Sequence, residues 1–212
     1  MNVALSYQPT AGVILAAGRS ARFGTPKQLL KLNNRPMVER VLDNALKSRL
    51  QRIVLVLGCQ YQSILKLLGK KAHHPRLKIV VNHSFEEGLS SSLHCGLNAV
   101  RRKSKAVMFL LADQPLADAG LINLLLENFQ ASDKGVCIPV YQGKRGNPTI
   151  FRKRYYDKLM MIKGDRGGRR LIKAHIEDVL EVQVSTPTCF WDIDIRGDVD
   201  KIQRLIRLSE DV

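Results

Sequence analysis

The chain has 212 residues, 45% of them hydrophobic, which suits one large core, so we expect residues 1–212 to form a single domain. No apolar run approaches the roughly 18–20 residues that span a bilayer, and residues 1–10 do not read as a signal peptide, so we expect a cytoplasmic protein without a membrane partner. The formal charge of +15 favours anionic partners, but its basic groups are short and lack interleaved aromatics, so we expect no nucleic-acid ligand.

The first half of the chain alternates apolar segments with amphipathic ones. Short apolar runs predict buried strands at residues 12–16, 52–57, 77–81 and 106–111. Helical spacing of apolar residues predicts helices that begin at Pro36 and that cover residues 60–68 and 90–100.

The second half continues this alternation less regularly. We predict strands at residues 136–140, 149–151 and 179–184. We predict helices at residues 121–129, 155–161, 168–175 and 199–208. Strands that alternate with helices indicate an α/β fold with a mostly parallel sheet covered on both faces.

The loop after the first strand combines small and basic residues. Ala16, Ala17 and Gly18 let backbone amides approach a ligand. Arg19, Arg22 and Lys27 supply donors that suit a triphosphate. The loop has neither the Walker pattern nor the dinucleotide-binding pattern of glycines. Taken alone, it also fits a turn that carries surface charges.

Three polar segments follow strands of the predicted sheet: residues 17–27, 82–92 and 113–115. Ligands of open α/β sheets bind beyond the carboxyl ends of the strands, so we expect these segments to meet at one edge. Asp113 follows the most apolar strand, and magnesium prefers carboxylate oxygen, although an Asp before Pro115 also suits a simple turn. The serines at 90–92 fit either a helix cap or contact with a base or phosphate.

The N-terminal segment LAAGRSARFG, followed three positions later by Lys27, closely resembles the signature of the nucleotidyltransferase superfamily. The resemblance extends through EGLSSSL (87–93), LADQP (111–115), RGNP (145–148), GDRG (164–167) and WDID (191–194). This combination resembles the molybdenum cofactor nucleotidyltransferases, with their cytidylyltransferases nearer than their guanylyltransferases. It implies a Rossmann-like three-layer domain with a mostly parallel mixed sheet of the nucleotide-diphospho-sugar transferase type.

The resemblance also implies roles for individual residues. The implied catalytic residues are Arg22, Lys27 and Asp113. The implied nucleotide-binding residues are Leu15, Ala16, Ala17, Gly18, Arg19, Ser20, Arg22, Lys27, Asn82, Ser91, Ser92 and Ala112. The implied acceptor-binding residues are Arg145, Gly146, Asn147 and Asp165. The implied ligands of Mg²⁺ are Asp113 and Asp194, with Asp192 as the alternative to Asp194.

The activity implied is magnesium-dependent transfer of CMP from CTP to molybdopterin-type molybdenum cofactor, with release of pyrophosphate. GTP as donor, another phosphorylated acceptor and a molybdenum hydroxylase as partner stay open, as does a monomer or a weak oligomer. Asn147 stands where the family has a histidine, and Ile195 follows the WDID segment where the family has threonine, which puts the acceptor in doubt. A non-catalytic basic protein that binds the cofactor or RNA is the alternative from another class.

Overall fold

A mixed β-sheet carries the fold, and the computed structural model describes residues 9–19, 23, 26–165 and 167–210. In chain order the strands are β1 (Thr10–Ala16), β2 (Lys31–Leu32), β3 (Arg35–Pro36), β4 (Arg52–Leu57), β5 (Leu77–Val81), β6 (Ala106–Leu111), β7 (Val136–Tyr141), β8 (Lys144–Arg145), β9 (Thr149–Arg152) and β10 (Val179–Gln183). The main sheet has the order β10-β7-β9-β6-β1-β4-β5, with β8 paired to β7. Strand β1 therefore lies near its centre, between β4 and β6.

Most neighbouring strands run parallel, which confirms the predicted mixed sheet. The pairs β1–β4, β1–β6, β4–β5 and β7–β10 are parallel. Strand β9 is antiparallel to both β6 and β7, and β8 is antiparallel to β7. The hairpin of β2 and β3 was not predicted; it turns at Asn33 and Asn34, whose φ angles of 47° and 63° are in the left-handed region that Asn tolerates.

Helices cover both faces of the sheet. They are α1 (Met37–Lys47), α2 (Tyr61–Leu68), α3 (Leu89–Val100), α4 (Ala119–Gln130), α5 (Tyr156–Met160), α6 (Arg169–Ala174) and α7 (Arg196–Glu210). One core cluster contains buried residues of α1, α2 and α4, and a second contains those of α3, α5 and α6. Helix α7 packs Ile202 and Ile206 against Leu32 and Met37 in a third cluster. Among the described residues, no helix is both long enough and apolar enough to cross a membrane.

Helix α3 approaches the centre of the sheet closely because of Gly96. A Cβ atom at Gly96 would lie 2.3 Å from Cγ1 of Val13 in β1. This close approach seats α3 directly on β1, and residues at the amino end of α3 line the same cavity as the loop that follows β1. The helix terminus therefore lies beside the loop that follows β1, and this neighbourhood positions the site described below.

The edge strand β10 is held by a polar cluster around Asp178. Its Oδ1 accepts a hydrogen bond from the Gly135 N–H at 2.8 Å, and its Oδ2 accepts one from the Tyr155 hydroxyl at 2.7 Å. Nη2 of Arg154 lies 2.7 Å from Oδ1. Burial alone would raise the pKa of Asp178, but hydrogen bonds from Arg154, Tyr155 and Gly135 lower it to about 2.

We expect Asp178→Asn to lower the free energy of unfolding by about 1–2 kcal/mol at pH 7, because charge-assisted hydrogen bonds are lost. A carboxyl whose folded pKa is depressed stabilises the fold above its unfolded pKa. The difference between variant and wild type should therefore shrink as pH falls from about 4 towards 2. Urea denaturation at several pH values measures this difference in the free energy of unfolding. Asp157→Asn, which breaks the exposed pair with Arg101, is the control, and we expect it to change the free energy of unfolding little. Equal effects of the two variants would contradict this reading of Asp178.

Candidate active site

Three segments meet at the carboxyl edge of the sheet and line a cavity of about 550 Å³. The loop after β1 contributes Gly18 and Lys27, and the turn after β6 contributes Asp113. The third segment contributes Phe85 from before α3 and Ser92 from within it. The predicted meeting of these segments is therefore observed.

Gln28 fixes the shape of the loop after β1. Its side chain is 5% exposed, and its Nε2 donates hydrogen bonds to the carbonyl oxygens of Ala16 (3.1 Å) and Gly18 (2.8 Å). Sequence reasoning missed Gln28, because nothing in its local pattern indicates that the amide is buried. Ser20 and Arg22, predicted from the resemblance, lie outside the described residues.

Arg19 extends across the mouth of this first cavity. Its Nη2 lies 2.9 Å from Oε1 of Glu86, and its guanidinium carbon lies 5.9 Å from the centre of the Phe85 ring. Both partners precede α3, whereas Arg19 belongs to the opposite wall. The cation thus spans the opening while remaining exposed to solvent.

Lys27 brings two of the predicted metal ligands together. Its Nζ lies 2.7 Å from Oδ1 of Asp194 and 3.9 Å from Oδ2 of Asp113, and its side chain is largely buried. Burial raises the pKa of Asp113; the charge of Lys27 lowers it, and the charges of Asp192 and Asp194 raise it. The ammonium group of Lys27 therefore already lies between carboxylates that repel each other, and this position suits a cation.

The C-terminal segment reaches this site by backbone hydrogen bonds. The Ile193 N–H donates to the Asp113 carbonyl oxygen at 3.0 Å. The Asp194 and Ile195 N–H groups both donate to Oδ2 of Asp198 at 2.9 Å, and these bonds lower the pKa of Asp198. Asp198 thus positions Asp194, a role that sequence reasoning did not assign.

Ser92 lines the first cavity, and Asn82 and Ser91 support it from behind. Nδ2 of Asn82 donates to Oγ of Ser91 at 2.8 Å and to Oγ of Ser92 at 3.0 Å. The Ser91 hydroxyl donates to the Gly88 carbonyl oxygen at 2.8 Å. Asn82 and Ser91, both predicted to contact the nucleotide, are therefore occupied in holding the amino end of α3.

Asp165 joins this helix terminus to a second part of the site. The Leu89 N–H donates to Oδ1 of Asp165 at 3.3 Å, and the Ser90 N–H donates to the Gly164 carbonyl oxygen at 3.0 Å. A Cβ atom at Gly88, whose φ is 96°, would lie 2.6 Å from Oδ1 of Asp165, so glycine is required there. Asp165 borders both the first cavity and a second one.

The second cavity has a volume of about 720 Å³ and contains the predicted acceptor residues Arg145 and Asn147. Arg145 is engaged, because its Nε lies 2.7 Å from Oε1 of Glu181. Gly146, also predicted to bind the acceptor, lines the cavity, but its N–H donates to the Pro139 carbonyl oxygen at 2.9 Å. Leu15, Leu89 and Leu111 border both cavities, as Asp165 does, so the two cavities adjoin.

Residues 113 and 114 mark the boundary between the two cavities. Asp113 lines the first cavity, and Gln114 lines the second together with Asp192. Within the described ranges, no group of three or more His, Cys, Asp or Glu side chains is arranged to hold a metal ion. Magnesium commonly uses one or two carboxylates together with phosphate oxygens, so the donor set of Asp113 with Asp192 or Asp194 fits it.

Comparison with known proteins shows the family to which the chain belongs. The chain is 30% identical over 201 residues to "Purine catabolism protein PucB" of Bacillus subtilis, covering 91% of this chain and 95% of that protein. It is 27% identical over 208 residues to a "Probable molybdenum cofactor guanylyltransferase" of Thermococcus sibiricus, covering 93% and 99%. A solved homologue of Mycobacterium tuberculosis Rv0371c, from Mycobacterium sp. strain JC1, superposes with a TM-score of 0.82 at 26% identity, covering 94% and 98%. Residues 12–179 match the model of the "MobA-like NTP transferase domain", and the chain therefore belongs to this family of nucleotidyltransferases.

Proposed function

We propose that this protein transfers CMP from CTP to the phosphate of a molybdopterin-type acceptor and releases pyrophosphate. The observation that carries the proposal is the pair of adjoining cavities divided at Asp113 and Gln114. The first cavity has cationic side chains beside small loop residues, which suits a triphosphate. The second adds an apolar interior with cationic residues among its walls, which suits a phosphorylated ring compound.

In this mechanism an acceptor phosphate oxygen attacks the α-phosphorus of CTP in line. A new P–O bond forms as the bond to pyrophosphate breaks, and pyrophosphate leaves with the electron pair. Lys27 and Arg19 stabilise charge on the departing group, and the resemblance adds Arg22 to them. An ionised phosphate is already a nucleophile, so the protein acts by alignment and charge neutralisation.

Asp113 and one of Asp192 and Asp194 would hold Mg²⁺ at this boundary. When bound, a magnesium ion supplies positive charge to the phosphate oxygens. Lys27 would then exchange its ion pair with Asp194 for contacts with the triphosphate. That exchange would keep the largely buried ammonium group of Lys27 paired with an anion.

The hydrogen bonds of the Ser92 hydroxyl support CTP as the nucleotide that donates the nucleotidyl group. Oγ of Ser92 accepts a hydrogen bond from Asn82, so the serine hydroxyl keeps its own hydrogen to donate into the cavity. The Watson–Crick edge of cytosine offers two acceptors, O2 and N3, and one donor, N4, whereas that of guanine offers one acceptor, O6, and two donors, N1 and N2; a hydroxyl donor therefore has more partners on cytosine. The Ala17 methyl group, from the loop after β1, lines the same cavity and narrows the space for a base. GTP is the second candidate, favoured by the name of the Thermococcus relative.

A binding panel of CTP, GTP, ATP and UTP, each with and without Mg²⁺, tests the proposal by thermal shift. Ligand at 100 times its dissociation constant should stabilise the protein by about 2.7 kcal/mol, or roughly 5–11 °C. We expect this shift with CTP and Mg²⁺, followed by pyrophosphate release when molybdopterin is added. A shift with GTP alone would move the assignment to guanylyl transfer.

The same panel separates the enzyme from a basic binding protein. If no triphosphate shifted the melting temperature, nucleotidyl transfer by this site would be contradicted. Affinity for RNA that falls steeply with salt would then favour the non-catalytic alternative.

A further inference from the structure

Gln114 lines the second cavity, and its side-chain Oε1 has no hydrogen-bond partner among the described residues. The residue is 5% exposed, and its Oε1 is buried without a hydrogen bond. No described residue donates to or accepts from its side chain, while its backbone N–H donates to the Leu111 carbonyl oxygen. The backbone of Gln114 is therefore fixed at the cavity wall, while its side-chain amide makes no hydrogen bond to a described residue.

A buried amide without hydrogen-bond partners destabilises the fold unless a ligand or an ordered water supplies those partners. Burial of a polar group without a hydrogen bond destabilises the folded state, and native proteins contain few such groups. A site built to hydrogen-bond a ligand also rejects analogues that lack the matching groups. Gln114 thus differs from Gln28, whose amide is used within the protein.

The surroundings of Gln114 define the chemistry of the ligand. Phe109, Ile138 and Phe151 are almost fully buried and form an apolar wall suited to a flat ring system. Arg169 and Lys173 lie in the same cavity and suit an anionic substituent. An amide beside them complements a ring edge that carries one donor and one acceptor side by side.

We propose that Gln114 is a specificity-determining residue that reads an amide-like edge, an adjacent N–H and C=O, on the heterocycle of the acceptor. The inference rests on the proposed function for the identity of the second cavity as the acceptor site. It adds the group that selects the ring, as distinct from the groups that bind its phosphate. Asp113 and Gln114, consecutive in the chain, then serve the two substrates separately.

Gln114→Met tests the role because it keeps the length of the side chain and removes both polar ends. We expect the KM for molybdopterin to rise about 10- to 100-fold, with kcat and the KM for CTP within about twofold of wild type. We also expect the melting temperature to stay the same or to rise by roughly 2–4 °C, because an unsatisfied amide is gone. Gln130→Met is the matched control, since Nε2 of Gln130 is also buried without a partner but Gln130 lies in α4. It should leave both KM values unchanged.

A binding measurement separates this inference from the proposed function. Pterin-6-carboxylic acid is a fluorescent ring with an amide edge and an anionic group, and its binding needs no nucleotide or turnover. We expect it to bind Gln114→Met about 10- to 100-fold more weakly than wild type, whether or not CTP is the donor. Equal binding to the two proteins, or no binding to wild type at millimolar concentration, would overturn the role of Gln114. A lower melting temperature of the variant with unchanged KM would also overturn it, since that result indicates a structural amide completed by water.

Discussion

Asp113→Ala is expected to reduce kcat by about 10³-fold or more while leaving the fold intact. The carboxylate lies 3.9 Å from Nζ of Lys27, and in the proposed mechanism it would hold Mg²⁺ beside the phosphates; loss of such charge stabilisation costs several kcal/mol. Steady-state release of pyrophosphate measures the effect. A variant with near-normal turnover would remove Asp113 from the mechanism.

Although Asp113→Ala should lose turnover, its stability should stay the same or rise. Burial raises the pKa of Asp113, so its contribution to stability is present below the unfolded pKa of about 4 and is lost as pH rises through the folded pKa. At pH 7 the Asp113 carboxyl therefore lowers the stability of the free protein. We expect the melting temperature of Asp113→Ala to equal or exceed that of wild type.

Asp118→Ala provides the matched control from the same turn. Oδ1 of Asp118 accepts a hydrogen bond from the Leu121 N–H at 2.8 Å and caps α4. Its loss should lower stability by about 1 kcal/mol, or roughly 2–4 °C, with kcat unchanged. We therefore expect opposite results: Asp113→Ala should lose turnover, and Asp118→Ala should lose stability.

Lys27→Met is expected to lower kcat/KM for the triphosphate by about 10²- to 10³-fold. The methionine retains the apolar length of the side chain and removes the charge that pairs with Asp194. In the proposed mechanism this charge would face the leaving phosphates from the wall of the first cavity. Titration with CTP in the absence of Mg²⁺ should show weaker binding as well, because the role of Lys27 does not require the metal.

Lys31→Met, an identical change at an exposed residue four positions later, is the control for Lys27. It should leave both kcat/KM and CTP affinity unchanged. If both lysine variants weakened CTP binding equally, the effect would reflect the overall charge of +15 and not a contact in the cavity.

Much of the sheet follows from local sequence, and the exceptions have physical causes. The strands at 52–57, 77–81 and 106–111 were predicted with the bounds that the structure shows, because each is an apolar run between polar segments. Strands β2, β3 and β8 were missed, since two residues each are too few to show a period. Their pairing is set by turns and by neighbouring strands.

The location of the candidate site was predictable from charged residues that follow strands, whereas their roles stay a prediction. Lys27 and Asp113 are charged residues after strands, and the structure places both at the expected edge. The functions of amides and hydroxyls depend on their partners, which local sequence does not reveal. Gln28 and Gln114 illustrate this point, because one amide is paired within the loop and the other is unpaired in a cavity.

The contact between Lys27 and Asp194 joins residues separated by 167 positions. During synthesis, chains emerge from the amino end at about 5–20 residues per second, so the lysine leaves the ribosome well before its carboxylate partner. The central strands β1, β4 and β6 are complete by Leu111, long before Ile193 can bond to the Asp113 carbonyl oxygen. The ion pair between Lys27 and Asp194 therefore forms only after the C-terminal segment has been made, although the strands that position Lys27 are present in the chain much earlier.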